Sequence, residues 1–355
     1  MPDFEKLMSD AFNEAKKGLG YTSPNPPVGA ILYKNGQIIA YGYHKRSGKP
    51  HAEIEAIRKA GQKAKNSTLI VTLEPCSHQG RTPPCTDAII DAGIKTVVGA
   101  VSDKNPAVAG SGYRKLKGAG IEVINNVLRI KALEFYAPYF KFITTGMPFI
   151  TLKFAQSIDG RIAASTGDSR WISSPQSLKL SHELRAVNDA ILIGNKTLEL
   201  DDSRLTTRSV IGLNPIRIIL SGKGKVNLKR RIFNDGAAPT YIATSAKKMG
   251  AGIDNIIPVK KKGNGLDLND LLKKLGEMGI ASLLVEGGSG VLTSFLKQKL
   301  ADRVIVCIAP IIIGKGIESI GELGVRKLGK SLLLDDMEWK KLGPDMILNG
   351  KPIWR

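Results

Sequence analysis

Cysteine and histidine are scarce in this chain, which has only three Cys and four His among 355 residues. Three thiols cannot build a disulfide framework, so the sequence predicts a reducing compartment, with the cytoplasm as the default. No apolar run approaches the ~20 residues of a membrane span. The stretch from Met1 to Glu5 lacks a basic region followed by an apolar one, so we expect no export signal. Together these absences argue against a secreted disulfide scaffold and against a membrane protein.

Positive charge, in contrast, is abundant: the chain has 52 Lys and Arg against 32 Asp and Glu, a net charge of +20. Its 42% apolar and 24% charged residues suit a globular protein. The surplus is spread evenly, at +8 over residues 1–145 and +12 over residues 146–355. We therefore expect no nucleic-acid partner, and a field that attracts small anions such as phosphorylated substrates. The basic runs Lys223–Arg231 and Lys260–Lys262 are interpreted as solvated loops.

The scarce residues fall in one window, where His51 and Glu53 are followed by Cys76 and Cys85. A catalytic zinc takes three protein ligands and keeps its fourth position for water, so His51, Cys76 and Cys85 would be the ligands. Glu53 then remains free to move protons, and this H-x-E…P-C order is typical of zinc deaminases as a class. The alternatives are a structural zinc, with His78 as its fourth ligand, and two buried thiols without a metal.

Helix and strand signals alternate through the first half of the chain. Asn35-Gly36 between two strand-like stretches indicates a hairpin. A helix after Pro50 would place His51 in its first turn, and a buried strand would deliver Cys76 at its carboxyl end. This order predicts a three-layer α/β domain with its site at strand ends and helix starts. The predicted helices are 4–18, 51–60, 86–92 and 113–118, and the predicted strands are 28–34, 37–43, 69–73, 96–101 and 121–124.

The pattern restarts around Thr144 to Pro148, which indicates a boundary between two domains. We predict one domain over residues 1–145 and a second α/β domain over residues 146–355, with no repeat linking them. The predicted strands of the second domain are 149–155, 190–193, 216–220, 240–243, 282–285 and 303–309, and its predicted helices are 175–186, 267–275 and 291–298.

Two turns in the second half are candidates for phosphate binding. Val285 to Gly290 follows a strand and opens a helix, so its glycines would bring backbone N–H groups close to an anion. Gly194 to Thr197 follows another strand. By themselves these signals are weak, because a turn of this kind often binds nothing. Arg185, Arg204 and Arg208 could bind phosphate oxygens, although each alone is more commonly a surface arginine.

Taken together, these motifs resemble the bifunctional riboflavin-biosynthesis family that joins a diaminohydroxyphosphoribosylaminopyrimidine deaminase to a 5-amino-6-(5-phosphoribosylamino)uracil reductase. The matching stretches cover nearly the whole chain in the order of the family, and the long loop between the two cysteines is specific to it among deaminases. They are Pro24-Asn25-Pro26-Pro27-Val28-Gly29-Ala30, His51-Ala52-Glu53, Leu73-Glu74-Pro75-Cys76 through Pro83-Pro84-Cys85, Lys153-Phe154-Ala155-Gln156-Ser157-Ile158-Asp159-Gly160-Arg161, Asp201-Asp202-Ser203-Arg204-Leu205-Thr206 and Val285-Glu286-Gly287-Gly288.

The resemblance implies a cytidine-deaminase-like domain followed by a dihydrofolate-reductase-like domain. It also implies zinc and NADPH as cofactors, and a phosphorylated aminopyrimidine as substrate. It places Asn25 and His44 beside the pyrimidine and makes Glu53 the proton shuttle. Gln79 stands where many members have a second histidine, and because it is also polar we expect altered affinity rather than lost activity. Since this fold type often pairs through its reductase half, we expect a homo-oligomer.

In the second half the resemblance places Lys153 near the reacting carbon of the substrate. Asp168-Ser169-Arg170 varies a Glu-Ser-Gln pattern of the family, again with altered affinity expected. Trp171, a rare residue in a polar loop, would either stack on a ring or simply pack. The implied NADPH contacts are Ala155, Trp171, Thr197, Asp201, Ser221, Gly287, Gly288, Ser289 and Gly290, and the implied substrate contacts are Ser169, Arg185, Leu205, Arg208 and Glu286.

The mechanism implied is hydrolytic removal of the exocyclic amine at a zinc site, with Glu53 carrying protons to the ring nitrogen and then to ammonia. NADPH would then reduce the ring-opened ribosyl group to ribityl phosphate. One rival is a tRNA adenosine deaminase with an appended RNA-binding domain, which the even charge and the Pro83-Pro84 loop disfavour. The other is a non-catalytic module with a structural zinc, for which only His78 offers a fourth ligand.

Overall fold

The computed structural model describes residues 2–79, 83–106, 108–170, 172–247 and 255–354. It divides into two compact units, residues 1–146 and 147–355, and each unit has its own sheet and core. The predicted site residue Trp171 lies outside the described residues. Within the described residues, no helix is both long and apolar enough to cross a membrane.

The first unit is a five-stranded sheet with helices on both faces. Its strands are β1 (Gly29–Lys34), β2 (Gln37–Tyr43), β3 (Thr68–Val71), β4 (Thr96–Gly99) and β5 (Glu122–Ile124), and its helices are α1 (Phe4–Lys16), α2 (Ala52–Ala60), α3 (Cys85–Asp91), α4 (Ser111–Gly118), α5 (Arg129–Phe135) and α6 (Ala137–Thr145). The strand order is β2-β1-β3-β4-β5. Strand β1 runs antiparallel to β2 and β3, whereas β3, β4 and β5 are parallel.

The layers follow from the alternation of side chains along each strand. Leu69 and Val71 of β3 pack in one core cluster with Ala56 of α2, while Ile70 packs on the other face with Phe12 of α1. All five residues are fully buried. Because both faces of the central strands are apolar, helices must cover both, which confirms the predicted three-layer arrangement.

The structure also confirms one predicted turn and corrects two boundaries near the predicted site. Asn35 and Gly36 have φ of 49° and 82°, as a type I′ hairpin turn requires. Helix α2 begins at Ala52, so His51 is its N-cap residue, in an extended conformation, rather than part of the first turn. Strand β3 ends earlier than predicted, at Val71, where its parallel partner β4 also ends, and Cys76 therefore lies in the following loop.

The second unit is a mixed nine-stranded sheet, most of it parallel, with two small ribbons beside it. Its strands are β6 (Phe149–Ser157), β7 (Arg161–Ala164), β8 (Ala190–Gly194), β9 (Ile216–Leu220), β10 (Thr240–Thr244), β11 (Ile256–Pro258), β12 (Lys261–Lys262), β13 (Gly265–Leu266), β14 (Ser282–Val285), β15 (Arg303–Ala309), β16 (Gly316–Glu318), β17 (Leu332–Leu342) and β18 (Asp345–Trp354), and its helices are α7 (Pro175–Val187), α8 (Asn195–Asp201), α9 (Leu268–Glu277) and α10 (Ser289–Lys297).

The order of the large sheet brings distant parts of the chain side by side. It is β11-β10-β9-β8-β14-β6-β15-β18-β17, and all neighbours are parallel except at β18, which is antiparallel to both β15 and β17. Strands β8, β9, β14 and β6 therefore end at one edge, where ligands of α/β proteins bind. The ribbons pair β7 with β16 and β12 with β13.

Arg217 of β9 is a fully buried charged side chain, 1% exposed. Its guanidinium donates to the Asp235 carboxylate at 2.9 and 3.0 Å and to Thr240 Oγ1 at 2.9 Å. It also donates to the backbone carbonyls of Arg204, Ile232 and Ala238. A buried charge needs such complete pairing, and Arg217 thereby fixes the loops around β9 and β10.

Candidate active sites

Three candidate metal ligands converge in the first unit. His51 Nδ1 lies 3.2 Å from Cys85 Sγ and 3.6 Å from Cys76 Sγ. The ligand atoms all lie within 4.8 Å of one another, and they form the one such group found among the described residues. His78 lines the adjacent cavity but is not a member of that group. One nitrogen and two sulfurs, with room for a water, fit a catalytic zinc better than a structural one.

Local structure explains how the cysteines meet. Cys85 is the first residue of α3 and follows Pro84, whose fixed φ suits a helix start. Its backbone N–H donates to Cys76 Sγ at 3.4 Å. Hydrogen bonds from Cys85 and His51 hold the pKa of Cys76 at about 4 despite its burial. The same contact raises the pKa of Cys85, so Cys76 is the more acidic thiol of the pair, and the thiolate is the form that binds metal.

Glu53 lies beside this group on the first turn of α2 and is 3% exposed. Its Oε2 is buried and has no hydrogen-bond partner among the described residues. Burial raises the pKa of this carboxyl group above its usual range. A buried carboxylate oxygen without a partner normally carries a cost, so its presence indicates a site made for a water molecule or a substrate.

The group opens into a cavity of about 390 Å³ that also contains the predicted substrate residues Asn25 and His44. The Nδ1–H of His44 donates to the Pro50 carbonyl at 3.1 Å, and its Nε2 is buried without a partner among the described residues. Burial lowers the pKa of His44, so the ring is neutral and Nε2 is an acceptor. Asn25 Nδ2 donates to Ser47 Oγ at 3.4 Å.

The sequence analysis missed Asp103, a buried carboxylic acid of this cavity. It is 8% exposed, its carboxylate accepts from Tyr139 Oη at 3.1 and 3.2 Å, and burial raises its pKa to about 6. It follows β4, so polar residues after a parallel strand were the signal that could have found it. Asn105, Tyr139 and Lys49 also line the cavity and were not predicted.

The loop that carries Asp103 is organised by Glu74, which is 4% exposed. Both oxygens of this carboxylate accept hydrogen bonds from backbone N–H groups of the loop or of the first turn of α4. The donors are Asp103 (3.1 Å) and Gly110 (2.9 Å) to Oε2, and Gly112 (2.9 Å) and Tyr113 (3.3 Å) to Oε1. A carboxylate with four donors is well satisfied although buried.

The second unit contains a larger cavity, of about 680 Å³, at the edge where its parallel strands end. It brings together most of the predicted cofactor residues with three of the predicted catalytic and substrate residues. The cofactor residues are Ala155, Thr197, Asp201, Ser221, Gly287, Gly288, Ser289 and Gly290, and the others are Lys153, Ser169 and Glu286.

The glycine turn before α10 is tightly built. A Cβ on Gly287 would lie 2.6 Å from Val291 Cβ, and one on Gly288 would lie 3.1 Å from Thr197 Oγ1. The Gly288 N–H already donates to Thr197 Oγ1 at 3.2 Å. The turn therefore presents its backbone, at the start of a nine-residue helix, to whatever occupies the cavity.

The remaining predicted substrate residues, Arg185, Leu205 and Arg208, line a separate small cavity of about 320 Å³ together with Arg204 and Arg231. Both cavities include Asp201, whose pKa is raised by burial. Arg208 is exposed, and partial desolvation and the charges of Arg185 and Arg204 lower its pKa. Closely spaced guanidinium groups that outnumber the carboxylates around them form a site for an anion such as phosphate.

An ion pair links the two cavities. Arg185 Nε donates to Glu286 Oε1 at 3.2 Å, and Arg185 Nη2 donates to Glu286 Oε2 at 2.5 Å. Burial acts to raise the pKa of Glu286, but the charges of Arg185 and Lys153 outweigh it, so the net shift is downward. His182, not predicted, donates its Nδ1–H to the Thr206 carbonyl at 2.8 Å beside this pair.

Comparison with known proteins finds a matching family for each unit. Residues 148–348 match the family model of the RibD C-terminal domain, and residues 1–101 match that of the cytidine and deoxycytidylate deaminase zinc-binding region. The chain is 47% identical to riboflavin biosynthesis protein RibD of Aquifex aeolicus and 38% identical to that of Escherichia coli K12. Those alignments cover 97% of this chain and 97% and 98% of the relatives.

Among solved structures, the chain is similar to a diaminohydroxyphosphoribosylaminopyrimidine deaminase/5-amino-6-(5-phosphoribosylamino)uracil reductase from Thermotoga maritima. The TM-score is 0.86 at 38% identity, with 99% of each chain covered. This similarity extends over both units, not over one of them alone.

Proposed function

Since the chain belongs to the riboflavin biosynthesis protein RibD family, we propose that His51, Cys76 and Cys85 bind its zinc and that Glu53 carries the protons of deamination. The protein is a bifunctional deaminase and reductase of riboflavin biosynthesis that uses zinc and NADPH. The observation that supports the residue roles most directly is the meeting of three ligand atoms within 4.8 Å, beside a buried carboxylate.

The substrate we propose for the first unit is 2,5-diamino-6-(5-phosphoribosylamino)pyrimidin-4-one. Zinc, when bound, lowers the pKa of a water molecule so that it can attack near neutral pH. Glu53 accepts one proton of that water and gives it to the ring nitrogen, then takes the proton of the hydroxyl added to the ring carbon and gives it to the departing amine, which leaves as ammonia. Its burial favours this role, because burial raises the pKa of the carboxyl group toward neutral pH. His44 Nε2 and Asn25 orient the ring from the cavity wall.

The second unit then reduces the ring-opened ribosyl group of the deaminated product to a ribityl group. NADPH, when bound, supplies the hydride. The glycine turn fits such a dinucleotide, because its residues line the cavity at the start of α10 and the close packing of Gly287 on Val291 and of Gly288 on Thr197 leaves no room for side chains there. We assign the predicted contacts Ala155, Thr197, Asp201, Ser221, Ser289 and Gly290 to the same cofactor, since they line one cavity with that turn.

Substrate binding in the second unit rests on the arginines that line the small cavity, which are Arg185, Arg204, Arg208 and Arg231. A phosphorylated pyrimidine fits both units, and we propose that Arg185 and Arg208, with Leu205, place its phosphate in the small cavity. Glu286 orients Arg185 through their two hydrogen bonds. Lys153, 8% exposed in the larger cavity with Ser169, lies near the carbon that receives the hydride.

The test follows both reactions with the full-length protein loaded with zinc. We expect ammonia release from the diaminopyrimidine, and NADPH oxidation only after that step or with deaminated product added directly. A protein that oxidises NADPH but releases no ammonia would contradict the roles given to Glu53 and the zinc ligands. The tRNA deaminase alternative predicts ammonia release from an adenosine-containing RNA instead, and the match of the second unit to a reductase-family domain disfavours it.

Three further assignments belong to this proposal. We place the deaminase domain at residues 1–145 and the reductase domain at residues 146–355.

We propose a homo-oligomer formed through the reductase half, because Met337 and Trp339 on the edge strand β17 are 56% and 53% exposed. Light scattering of the purified protein tests the oligomer. The free thiols, including buried Cys307, suit the reducing cytoplasm.

A further inference from the structure

One basic run of the sequence has no role in the reactions above. It begins at Lys223, directly after the end of β9, and the solvated-loop interpretation explains only part of it. The side chains of Lys223 and Lys225 are exposed but line the larger cavity, together with Lys196 at the start of α8. We call Lys196, Lys223 and Lys225 the lysine group.

The lysine group lies at one end of the cavity. The strands that end at the cavity are ordered β9-β8-β14-β6. The lysine group follows β9 and β8, the glycine turn follows β14, and Lys153 is on β6. Neighbouring strands are about 4.8 Å apart, so β9 lies ~14 Å from β6 across the sheet. If the hydride is delivered near Lys153 and the pyrophosphate rests on the glycine turn, the adenosine half of the dinucleotide extends toward the lysine group.

The turn that carries two of these lysines is well defined. Gly224 N–H donates to the Ser221 carbonyl at 3.0 Å, and Gly224 has a φ of 68°. Ser221 Oγ and Asn195 Nδ2 both donate to the Lys225 carbonyl, at 3.3 and 3.0 Å. These bonds fix where the turn presents its charges.

A second observation also indicates a ligand at this end. The side chain of Asn195 donates to the Lys225 carbonyl through its Nδ2. Its amide oxygen, Oδ1, is buried and has no hydrogen-bond partner among the described residues. Such an acceptor can be satisfied by a hydroxyl of the adenosine ribose or by the adenine amino group. Asn195 lines the same cavity as the lysine group.

The charge at this end distinguishes the two nicotinamide dinucleotides. Enzymes that use NADH present a carboxylate to the ribose 2′-hydroxyl, whereas enzymes that use NADPH present cations to the 2′-phosphate. The described carboxylates that line the cavity are Asp201, at the far end of α8, and Glu286, which is paired with Arg185. Neither is part of the turn after β9.

We propose that Lys196, Lys223 and Lys225 bind the 2′-phosphate of NADPH and so make this reductase select NADPH over NADH. This inference rests on the proposed placement of the cofactor in the larger cavity. The three ammonium groups act as point charges on a dianionic phosphate, and they leave the rest of the dinucleotide to the glycine turn and the strand ends.

The test is calorimetric binding of NADP⁺ and NAD⁺ to the full-length, zinc-loaded protein. The variant with Lys196→Ala, Lys223→Ala and Lys225→Ala should lose about 100- to 1,000-fold in NADP⁺ affinity, since each of the three charged contacts is worth roughly five- to tenfold. Its NAD⁺ affinity should stay within about twofold, because NAD⁺ lacks the group that the lysines bind. Added salt should weaken NADP⁺ binding to the wild type more than to the variant.

The matched control changes Lys260, Lys261 and Lys262 to Ala, which removes the same charge from exposed positions outside the cavity lining. This control should bind both dinucleotides like the wild type. Equal losses for NADP⁺ and NAD⁺ in the lysine variant, or no loss for either, would overturn the lysine assignment alone. A wild type that binds neither dinucleotide would instead contradict the cofactor site of the proposed function.

Discussion

The candidate cofactor sites of the two units are built in different ways, and that difference decides how well each site can be recognised from sequence. In the first unit three side chains offer the candidate ligand atoms, and they occupy a window of residues 51 to 85. In the second unit the cavity draws on residues from 153 to 317 and on the backbone of a glycine turn. Side-chain chemistry leaves a specific sequence pattern, whereas a backbone surface leaves little more than a preference for glycine.

The strongest test of this comparison is Cys76→Ala, which should abolish both zinc binding and deamination. The variant loses one of three ligands, and the remaining two cannot hold the ion. NADPH-dependent reduction of the deaminated product should continue. Elemental analysis with separate assays of the two reactions checks this, with Cys307→Ala as a thiol control. Full zinc content in Cys76→Ala would show that the ligand set is different.

Glu53→Gln should slow deamination by about 10²- to 10⁴-fold, the usual contribution of a general acid–base residue. The amide keeps the shape of the side chain but cannot accept and return a proton. Zinc content and reduction should be unchanged, which separates this effect from loss of the metal. Glu55→Gln on the same helix is the control. Normal ammonia release by Glu53→Gln would remove the proton-transfer role.

Asp103 should give the first unit a distinctive dependence of stability on pH. Its folded-state pKa of about 6 lies above that of the unfolded chain, so the folded protein holds the proton more tightly. Its contribution is fully present at low pH and is lost as pH rises from about 4 through about 6, by up to ~3 kcal/mol. Asp103→Asn does not titrate, so its stability relative to the wild type should rise over that window.

Urea unfolding of both proteins at a series of pH values, at constant zinc, measures this difference. The exposed Asp91→Asn variant provides the baseline for removing a carboxylate. Parallel stability curves for the wild type and Asp103→Asn would mean that Asp103 is not held in the environment described.

In the second unit the corresponding test adds a side-chain atom to the tightly packed glycine turn rather than removing a functional group. Gly287→Ala introduces a Cβ 2.6 Å from Val291 Cβ, so the turn must shift, at a cost of about 1–3 kcal/mol in stability. NADP⁺ affinity should fall with it, while deamination is unaffected. Gly290→Ala is the control for stability, because a Cβ there meets nothing within 4 Å. Equal stability of the two variants would show that the turn is more adaptable than its contacts indicate.

The smallest predicted effect is on Arg208→Ala, which should raise the KM for the phosphorylated substrate by about tenfold, as expected for one charge-assisted contact. The KM for NADPH should change much less, because Arg208 lines the small cavity and not the larger one. Steady-state kinetics of reduction, with the concentration of each substrate varied in turn, measure the two KM values separately. The exposed Arg326→Ala serves as control, and an unchanged substrate KM would contradict phosphate binding at Arg208.

Prediction from sequence succeeded where apolar periodicity and turn chemistry agreed. The hairpin at Asn35-Gly36 and the central strands β6, β8, β9, β14 and β15 lie where they were expected, within a few residues. The helices α5 and α6 were not predicted, although Ala132, Tyr136 and Phe140 form a buried stripe at i, i+4 spacing. Pro138 interrupts that stripe in the sequence but lies at a helix start in the structure, where proline is tolerated.

The hairpin of β17 and β18 was missed for a different reason. Most of β17 is exposed, and its sequence from Asp335 to Lys341 is largely charged, so it lacks the alternation that marks a half-buried strand. Its position is set by pairing with β18, which is itself paired with β15. The candidate site shows the same limit, since Asp103 and the lysine group acquire their surroundings only through long-range packing.

Glu74 has a consequence for how the deaminase cavity keeps its shape. Its carboxylate accepts hydrogen bonds from four backbone N–H groups, two in the loop after β4 and two in the first turn of α4, and it stands two positions ahead of the candidate ligand Cys76. The cavity wall that carries Asp103 and the segment that carries the candidate ligand Cys76 are therefore tied together through one buried carboxylate. We expect this connection to keep the spacing between the two segments constant before a substrate binds.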